Sequence, residues 1–438
     1  MIARIDIRGR SADGIALNYR HVVPRADFDV AAAAVAVGPL CEDVRVRGDE
    51  AVRDLARTYD GVELGDIRVD PELATRAAAA MPEDLRAALT ESIRRVRETC
   101  ARELDAEPVT ELGPGATVTR RLVPMGRVGL YVPAGITPLP SSVVMNVVPA
   151  QVAGVRSIAV ASSPQKDHDG LPHPSILGVL GLLGVDEIYA AGGSAAVPMF
   201  AYGTQSCARV DIVCGPGNIY TVAAKRVVSA VVAIDSEAGP TEILVVADGS
   251  ADAGIVAADL VSQAEHDPSA AAVLVTDSQA LAEAVEADLE ARVPATRHAA
   301  RVATALRGRQ SAIVLVDDLD QAVEVANGYA SEHTEVQTVD AEAVADRITA
   351  AGALFVGRYT PVSLGDYCAG SNHVLPTGGC ACFSSGLSVR TFLRSMQQVR
   401  YSRDALAQVA DAVRTLADAE DLPAHGEAVT QRFAQAPR

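Results

Sequence analysis

A chain of 438 residues exceeds what one hydrophobic core usually supports, so two or more domains are expected. Hydrophobic residues at 49% and charged residues at 21% are ordinary globular proportions and exclude global disorder. The formal charge of -18 is dispersed along the chain, which argues against the phosphate-tracking surface of a nucleic-acid binder, and no nucleic-acid partner is expected.

The opening MIARIDIRGRSADG mixes charges with short apolar runs and has no signal-peptide pattern. Residues 27–59 and 72–104, rich in Ala, Leu, Glu and Arg, suit amphipathic helices that pack on a sheet. Short β-branched runs then recur at 128–132, 157–161, 187–191 and 210–213, each followed by a helix-length stretch, and read as buried parallel strands. A second series follows at 243–247, 272–276, 312–317 and 353–356, so both halves read as α/β. The longest apolar stretch, Ile176 to Val185, is too short to span a membrane, and no membrane association is expected. From Gly378 onward the strand rhythm is lost and the chain ends in a helical stretch near 401–419, which reads as an appendage. Seven cysteines with no CxxC pair fit a reducing cytoplasm. The close pair Cys380 and Cys382 reads as two ordinary thiols.

Several short patterns could carry chemistry. Val210 to Asn218 is an apolar strand running into Gly215-Pro216-Gly217-Asn218 and then a helix, so it is either a phosphate cradle at a helix N-terminus or an ordinary tight turn. Gly192-Gly193-Ser194 has the same ambiguity, and neither matches GxGxxG. Gln263 and His266 share one face at the end of a predicted helix, 252–265, that Asp267-Pro268 should terminate. That spacing allows chelation of one ion, although such a pair more often simply faces solvent. Glu332 and His333 place a carboxylate beside an imidazole, a plausible acid-base unit or a solvated polar loop. Asp366 and His373 lie in a stretch dense with Gly, Ser and Asn, and Glu420 and His425 lie in the tail. Together these residues offer N and O ligands without thiolates, a set suited to zinc or a similar divalent ion.

Taken in order, SSVVMNVVPAQVAGV, CGPGNIY with AAKR, DSEAGPTE, SQAEHD, SEHTEVQT, SLGDYCAGSNHVLPT, SSGLSV and AHGEAV resemble the histidinol dehydrogenase family nearly end to end. The resemblance implies two incomplete Rossmann-like parallel-sheet domains, a small N-terminal segment and a tail domain in an intertwined homodimer. Residues 1–26 would form the N-terminal segment. Residues 27–133 with 243–382 would form a first domain holding the metal and catalytic residues, 134–242 the NAD side, and 383–438 a tail reaching the partner subunit. It further implies two successive NAD-dependent oxidations of L-histidinol to L-histidine, with one zinc ion per subunit.

Position by position, the zinc ligands would be Gln263, His266, Asp366 and His425. Substrate contacts would be Thr241, Gln263, His266, His333, Asp366, His373, Glu420 and His425, with Glu420 and His425 serving the partner's site. His333 would act as base in both oxidations and Glu332 would activate the water that adds to the aldehyde. NAD contacts map to Tyr131, Asn218 and Ala195, where the family carries a Gln. Ala134 stands where a second glycine is usual, and Thr334 where a Leu is usual. A glycine needing positive φ would make alanine at 134 costly.

Three other readings compete. A paralogue could apply the same machinery to another small polar alcohol, such as a sulfonated diol. A thiolate mechanism would draw on Cys214 or Cys368. A non-enzymatic metal-binding scaffold would have no use for Glu332 and His333.

Overall fold

The computed structural model describes residues 2–10, 18–26, 28–104, 106–134, 137–237 and 239–434. The predicted start of the first helical stretch at 27 and the last residues of the tail, 435–438, lie outside them. The chain divides into two compact units, Met1–Glu103 with Met125–Phe392, and Leu104–Pro124 with Leu393–Arg438.

The larger unit is built on two six-stranded sheets. One has the order Ala3–Asp6, Ala312–Leu315, Ala271–Thr276, Glu242–Ala247, His333–Gln337, Ala353–Val356, all parallel. Its central strands EILVVA and AAVLVT are buried at every position, as a sheet covered on both faces requires, and this explains runs of apolar residues in place of alternation. The second sheet has the order Arg68–Val69, Glu187–Ala190, Ser157–Ser162, Arg127–Val132, Ile212–Cys214, Ala233–Ile234. It is parallel except for the short edge strand Arg68–Val69.

The two sheets share one winding rule. From Glu242–Ala247 the chain adds two strands on one side, then crosses to place His333–Gln337 on the other; from Arg127–Val132 it adds two, then crosses to place Ile212–Cys214. Each sheet therefore has a switch point beside its first long strand, the position where α/β sheets open a crevice.

The predicted helices form, but they pack elsewhere than expected. Val30–Arg47 is capped by Asp29, whose side chain accepts from the Ala32 N–H, and buries Ala33, Val37, Cys41 and Val44 along one stripe. That stripe belongs to the same core as Ala159, Phe200 and Val228. Residues 28–103 and the strand Arg127–Val132 thus join the sheet of 157–234, not that of 242–356, which corrects the expected grouping of 27–133 with 243–382. The apolar stripe fixes burial but carries no information about which sheet receives it.

The smaller unit is an antiparallel sheet in the order Leu393–Tyr401, Ala116–Pro124, Val109–Gly113, followed by helices Arg403–Ala419 and Pro423–Ala434. The nine-residue strand Leu393–Tyr401 falls in the segment read as lacking strands. Its sequence LRSMQQVRY has few β-branched residues and stays largely exposed, so it is a strand through pairing with Ala116–Pro124 and not through its own propensity. Among the described residues no helix is long and apolar enough to cross a membrane.

Candidate active site

Strand Glu242–Ala247 leads into helix Ala253–Ala264, started by Asp252, whose carboxylate accepts from Gly254 and Ile255 N–H groups. Returning across parallel strands, the helix delivers its last turn to their N-terminal edge. Gln263 sits in that turn, and His266 just beyond it is exposed. Thr241 precedes the strand, and Glu332 and His333 open strand His333–Gln337 beside it, with His333 in register with Ile243.

Glu332 and His333 are not a solvated loop: they are 7% and 4% exposed. They are reached through Ala330, which ends helix Leu319–Tyr329 in the left-handed region at φ 50°. A non-glycine residue there costs energy, so the surrounding packing must hold the turn. The Gln263 amide donates from Nε2 to Thr241 Oγ1 at 2.5 Å, and Thr241 donates in turn to Glu332 Oε2 at 2.5 Å. The same oxygen accepts from the Glu242 N–H at 3.0 Å. Gln263 Oε1 is thereby left to face another group. Burial pushes the Glu332 carboxyl up to about 8 despite these donors.

His333 Nδ1 lies 3.0 Å from the Glu242 carbonyl. A carbonyl only accepts, so Nδ1 carries the hydrogen and Nε2 presents a free lone pair. Burial lowers the His333 pKa, keeping the ring neutral. Glu242 is itself anchored, its carboxylate paired with Arg25 and accepting from the Gly378 N–H at 3.2 Å, while Arg25 lies 4.0 Å over the Tyr329 ring. His373 bonds through Nδ1 to the Asp366 carbonyl at 2.9 Å and through Nε2 to Ser142 Oγ at 3.1 Å. The Asp366 charge is felt by Glu332, His333 and His373, and His266 also acts on His373. Seven of the expected residues therefore converge: Thr241, Gln263, His266, Glu332, His333, Asp366 and His373.

The other sheet contributes its opposite edge. Tyr131, at the C-terminal end of Arg127–Val132, is buried and bonds Ser163 Oγ at 3.2 Å. Gly193 opens helix Gly193–Tyr202, in which Ala195 is buried. The GPGN turn ends strand Ile212–Cys214, and Asn218 caps helix Ile219–Val228, its Oδ1 accepting from Tyr220 and Thr221 N–H groups. Gly215 has φ +124°, and a Cβ there would meet the Tyr131 carbonyl, so the turn rides directly on the neighbouring strand. It is locked by Lys225, buried and ion-paired with Asp235, whose Nζ donates to the Gly215 carbonyl at 3.0 Å, while Asp235 accepts from the Gly215 N–H at 2.8 Å.

One cleft of about 1500 Å³ in the larger unit is lined by Tyr131, Ala195 and Asn218 together with Thr241, Gln263, His266 and Asp366. Asp60 and Ser163 also line it and were not anticipated. Burial raises the Asp60 carboxyl to about 6, and nothing in the local TYDG sequence distinguishes it from a turn. Glu420 and His425 belong to the smaller unit, where both are exposed. Among the described residues no three His, Cys, Asp or Glu side chains form a ready ion-binding group. The donors near Thr241 are an amide oxygen, an imidazole and a carboxylate, a chemistry that fits zinc with a further ligand still to be supplied.

The sequence departures are absorbed locally. Ala134 is not among the residues with positive φ, so the feared backbone cost does not arise. Thr334 is buried and its hydroxyl pairs with Ser331 Oγ at 2.7 Å, satisfying the polar group that replaces an apolar one. Cys214 is fully buried and its thiol is pushed well above its usual range, first by burial and then by Asp235, which removes it as a thiolate nucleophile.

The histidinol dehydrogenase family model matches residues 23–433. The chain is 58% identical to histidinol dehydrogenase of Streptomyces avermitilis over 99% of its length and 98% of the relative, and 57% identical to that of Thermobifida fusca over the same shares. Its fold is similar to the crystal structure of histidinol dehydrogenase from Elizabethkingia anophelis, with TM-score 0.91 and 30% identity over 99% of this chain and 98% of that one. The chain belongs to the histidinol dehydrogenase family and is an NAD-dependent oxidoreductase.

Proposed function

We propose that the chain oxidises L-histidinol to L-histidine through L-histidinal, reducing two NAD, with one zinc ion per subunit. The observation that carries this reading is the buried path from Gln263 through Thr241 to Glu332, with the neutral His333 beside it. Gln263, His266 and Asp366 would hold the metal, joined by His425, and a bound zinc ion supplies positive charge that orients the substrate's amine and imidazole. NAD supplies the hydride acceptor, with Tyr131 and Asn218 at its end of the cleft. Ala195 offers no amide there.

His333 Nε2 takes the proton of the substrate hydroxyl. Its Nδ1–H bond to the Glu242 carbonyl fixes the ring and favours the imidazolium that forms. Water must then add to the aldehyde. Glu332, once ionised, takes the proton of that water, and His333 takes the proton of the resulting diol. Thr241, His373 and, from the tail, Glu420 and His425 would contact the substrate. Glu420 and His425 reaching a neighbouring site in a homodimer gives the appended unit its purpose. Seven unpaired cysteine thiols suit a reducing cytoplasm.

The deciding measurement is steady-state turnover of L-histidinol with NAD, before and after chelation and zinc re-addition. Two NADH per histidinol, lost with the metal and restored by zinc, supports the reading. Saturation by a sulfonated diol with histidinol inert overturns it.

A further inference from the structure

Asp259 and Glu335 take no part in the chemistry above, yet both are buried, at 7% and 0% exposure. Their positions are not incidental. Asp259 lies one helical turn before Gln263, so both project from one face of helix Ala253–Ala264. Glu335 lies two residues after His333, so both project from one face of strand His333–Gln337. In the sheet Glu335 stands between Val245 and Phe355, which share a core with Val256, Leu260 and Val261 of that helix. The two carboxyls stand within reach of each other inside this apolar layer, and each acts on the other.

Two carboxylates cannot hydrogen-bond without a proton between them. Asp259 Oδ2 and Glu335 Oε2 are buried with no donor among the described residues, while Glu335 Oε1 accepts from Gln337 Nε2 at 3.0 Å. The groups acting on the pair are each carboxyl on the other and the Gln337 amide; the flanking strands present Val245 and Phe355, and no cation among the described residues contributes. A single shared proton satisfies both orphan oxygens and removes the repulsion of two buried charges.

We propose that Asp259 and Glu335 share one proton and act as positioning residues, clamping the helix that carries Gln263 onto the strand that carries His333. Its effect on turnover rests on the roles given to Gln263 and His333; the shared proton does not. Burial raises the Glu335 carboxyl, so the proton persists through neutral pH and is lost in alkali, where the pair becomes two repelling carboxylates.

The test compares the full-length chain with Glu335→Gln, Asp259→Asn and Glu335→Leu. Infrared spectra of wild type minus Glu335→Gln should contain the carbonyl band of a protonated carboxylic acid at neutral pH that fades in alkali; no such band overturns the shared proton. In histidinol turnover, Glu335→Leu should lower kcat roughly tenfold or more, since small misplacements of reacting groups are costly, and Glu335→Gln should restore most of it. Asp259→Asn, whose amide can donate to Glu335 at any pH, should lose the alkaline fall in kcat expected of wild type. Unchanged kcat and pH profile in all three variants overturns the positioning role. If even wild type turns over no histidinol, the substrate reading fails instead. The infrared band and the pH slope of the thermal midpoint, which Glu335→Gln should flatten, then decide on the pair.

Discussion

The two sheets of the larger unit are wound alike, yet they offer opposite ends to the cleft. The sheet of Arg127–Val132 contributes its C-terminal edge, where helices Gly193–Tyr202 and Ile219–Val228 begin. The sheet of Glu242–Ala247 contributes its N-terminal edge, where helix Ala253–Ala264 ends. Helix N-termini carry partial positive charge and helix C-termini partial negative charge. One side of the cleft would thus suit the pyrophosphate of a dinucleotide, and the other, in the proposed reading, a metal cation and a substrate ammonium. The difference teaches that a repeated topology does not dictate a repeated site: reversing the edge used reverses the sign of ligand received.

The contrast can be broken most severely at His333. His333→Ala should lower kcat about 10³-fold for both histidinol and histidinal, measured by NADH formation, because a positioned base is worth that order. Comparable loss for only one substrate would refute a single base serving both oxidations. On the opposite edge, Lys225→Met leaves Asp235 buried and unpaired beneath the GPGN turn. It should cost about 3 kcal/mol, seen as a lowered thermal midpoint, with weakened NAD binding in the folded fraction.

Glu332→Gln should depress histidinal oxidation about 10²-fold while largely sparing histidinol oxidation, and equal losses would count against a separate water base. pH separates the same roles. His333 is lowered and already neutral at neutral pH, whereas Glu332 ionises only near 8, so histidinal oxidation should keep rising to about pH 8 after histidinol oxidation has levelled. The folded state holds this carboxyl's proton to a higher pH than the unfolded chain does, so protonation of Glu332 favours the fold most in acid. That contribution is complete below the ordinary value of 4.5 and is lost as pH rises through about 8, a slope that Glu332→Gln should remove from the thermal midpoint. The smallest effect is expected at Ala195. Ala195→Gln should lower the KM for NAD about threefold, if the added amide reaches the cofactor without crowding its buried helix.

Eight strands of the two larger sheets were legible because fully buried strands announce themselves as apolar runs, with boundaries within two residues of the predicted ones, whereas Ala3–Asp6, Arg68–Val69, Ala233–Ile234 and His333–Gln337 were not among the predicted runs. The hairpin partner Leu393–Tyr401 was not legible, because its strand character comes from residues far away in the chain. At the site, the motif blocks identified Gln263, His266, Glu332, His333 and Asp366, but on spacing alone each had a bland alternative. What the sequence could not carry was burial: it converts Glu332 and His333 from polar loop residues into a carboxyl held protonated beside a neutral imidazole. Asp60 escaped notice for the same reason. Its raised carboxyl depends on burial, with Gly192, far away in the chain, standing against it.

The ion pair beneath the GPGN turn also governs how the molecule can be labelled. The chain has two lysines, Lys166 and Lys225, and the second is sealed against Asp235. Amine-directed reagents therefore find one exposed lysine side chain, Lys166, which packs against Gly61 next to Asp60 of the cleft. A fluorophore or surface tether attached to that side chain would sit next to Asp60 and so close to the cleft wall.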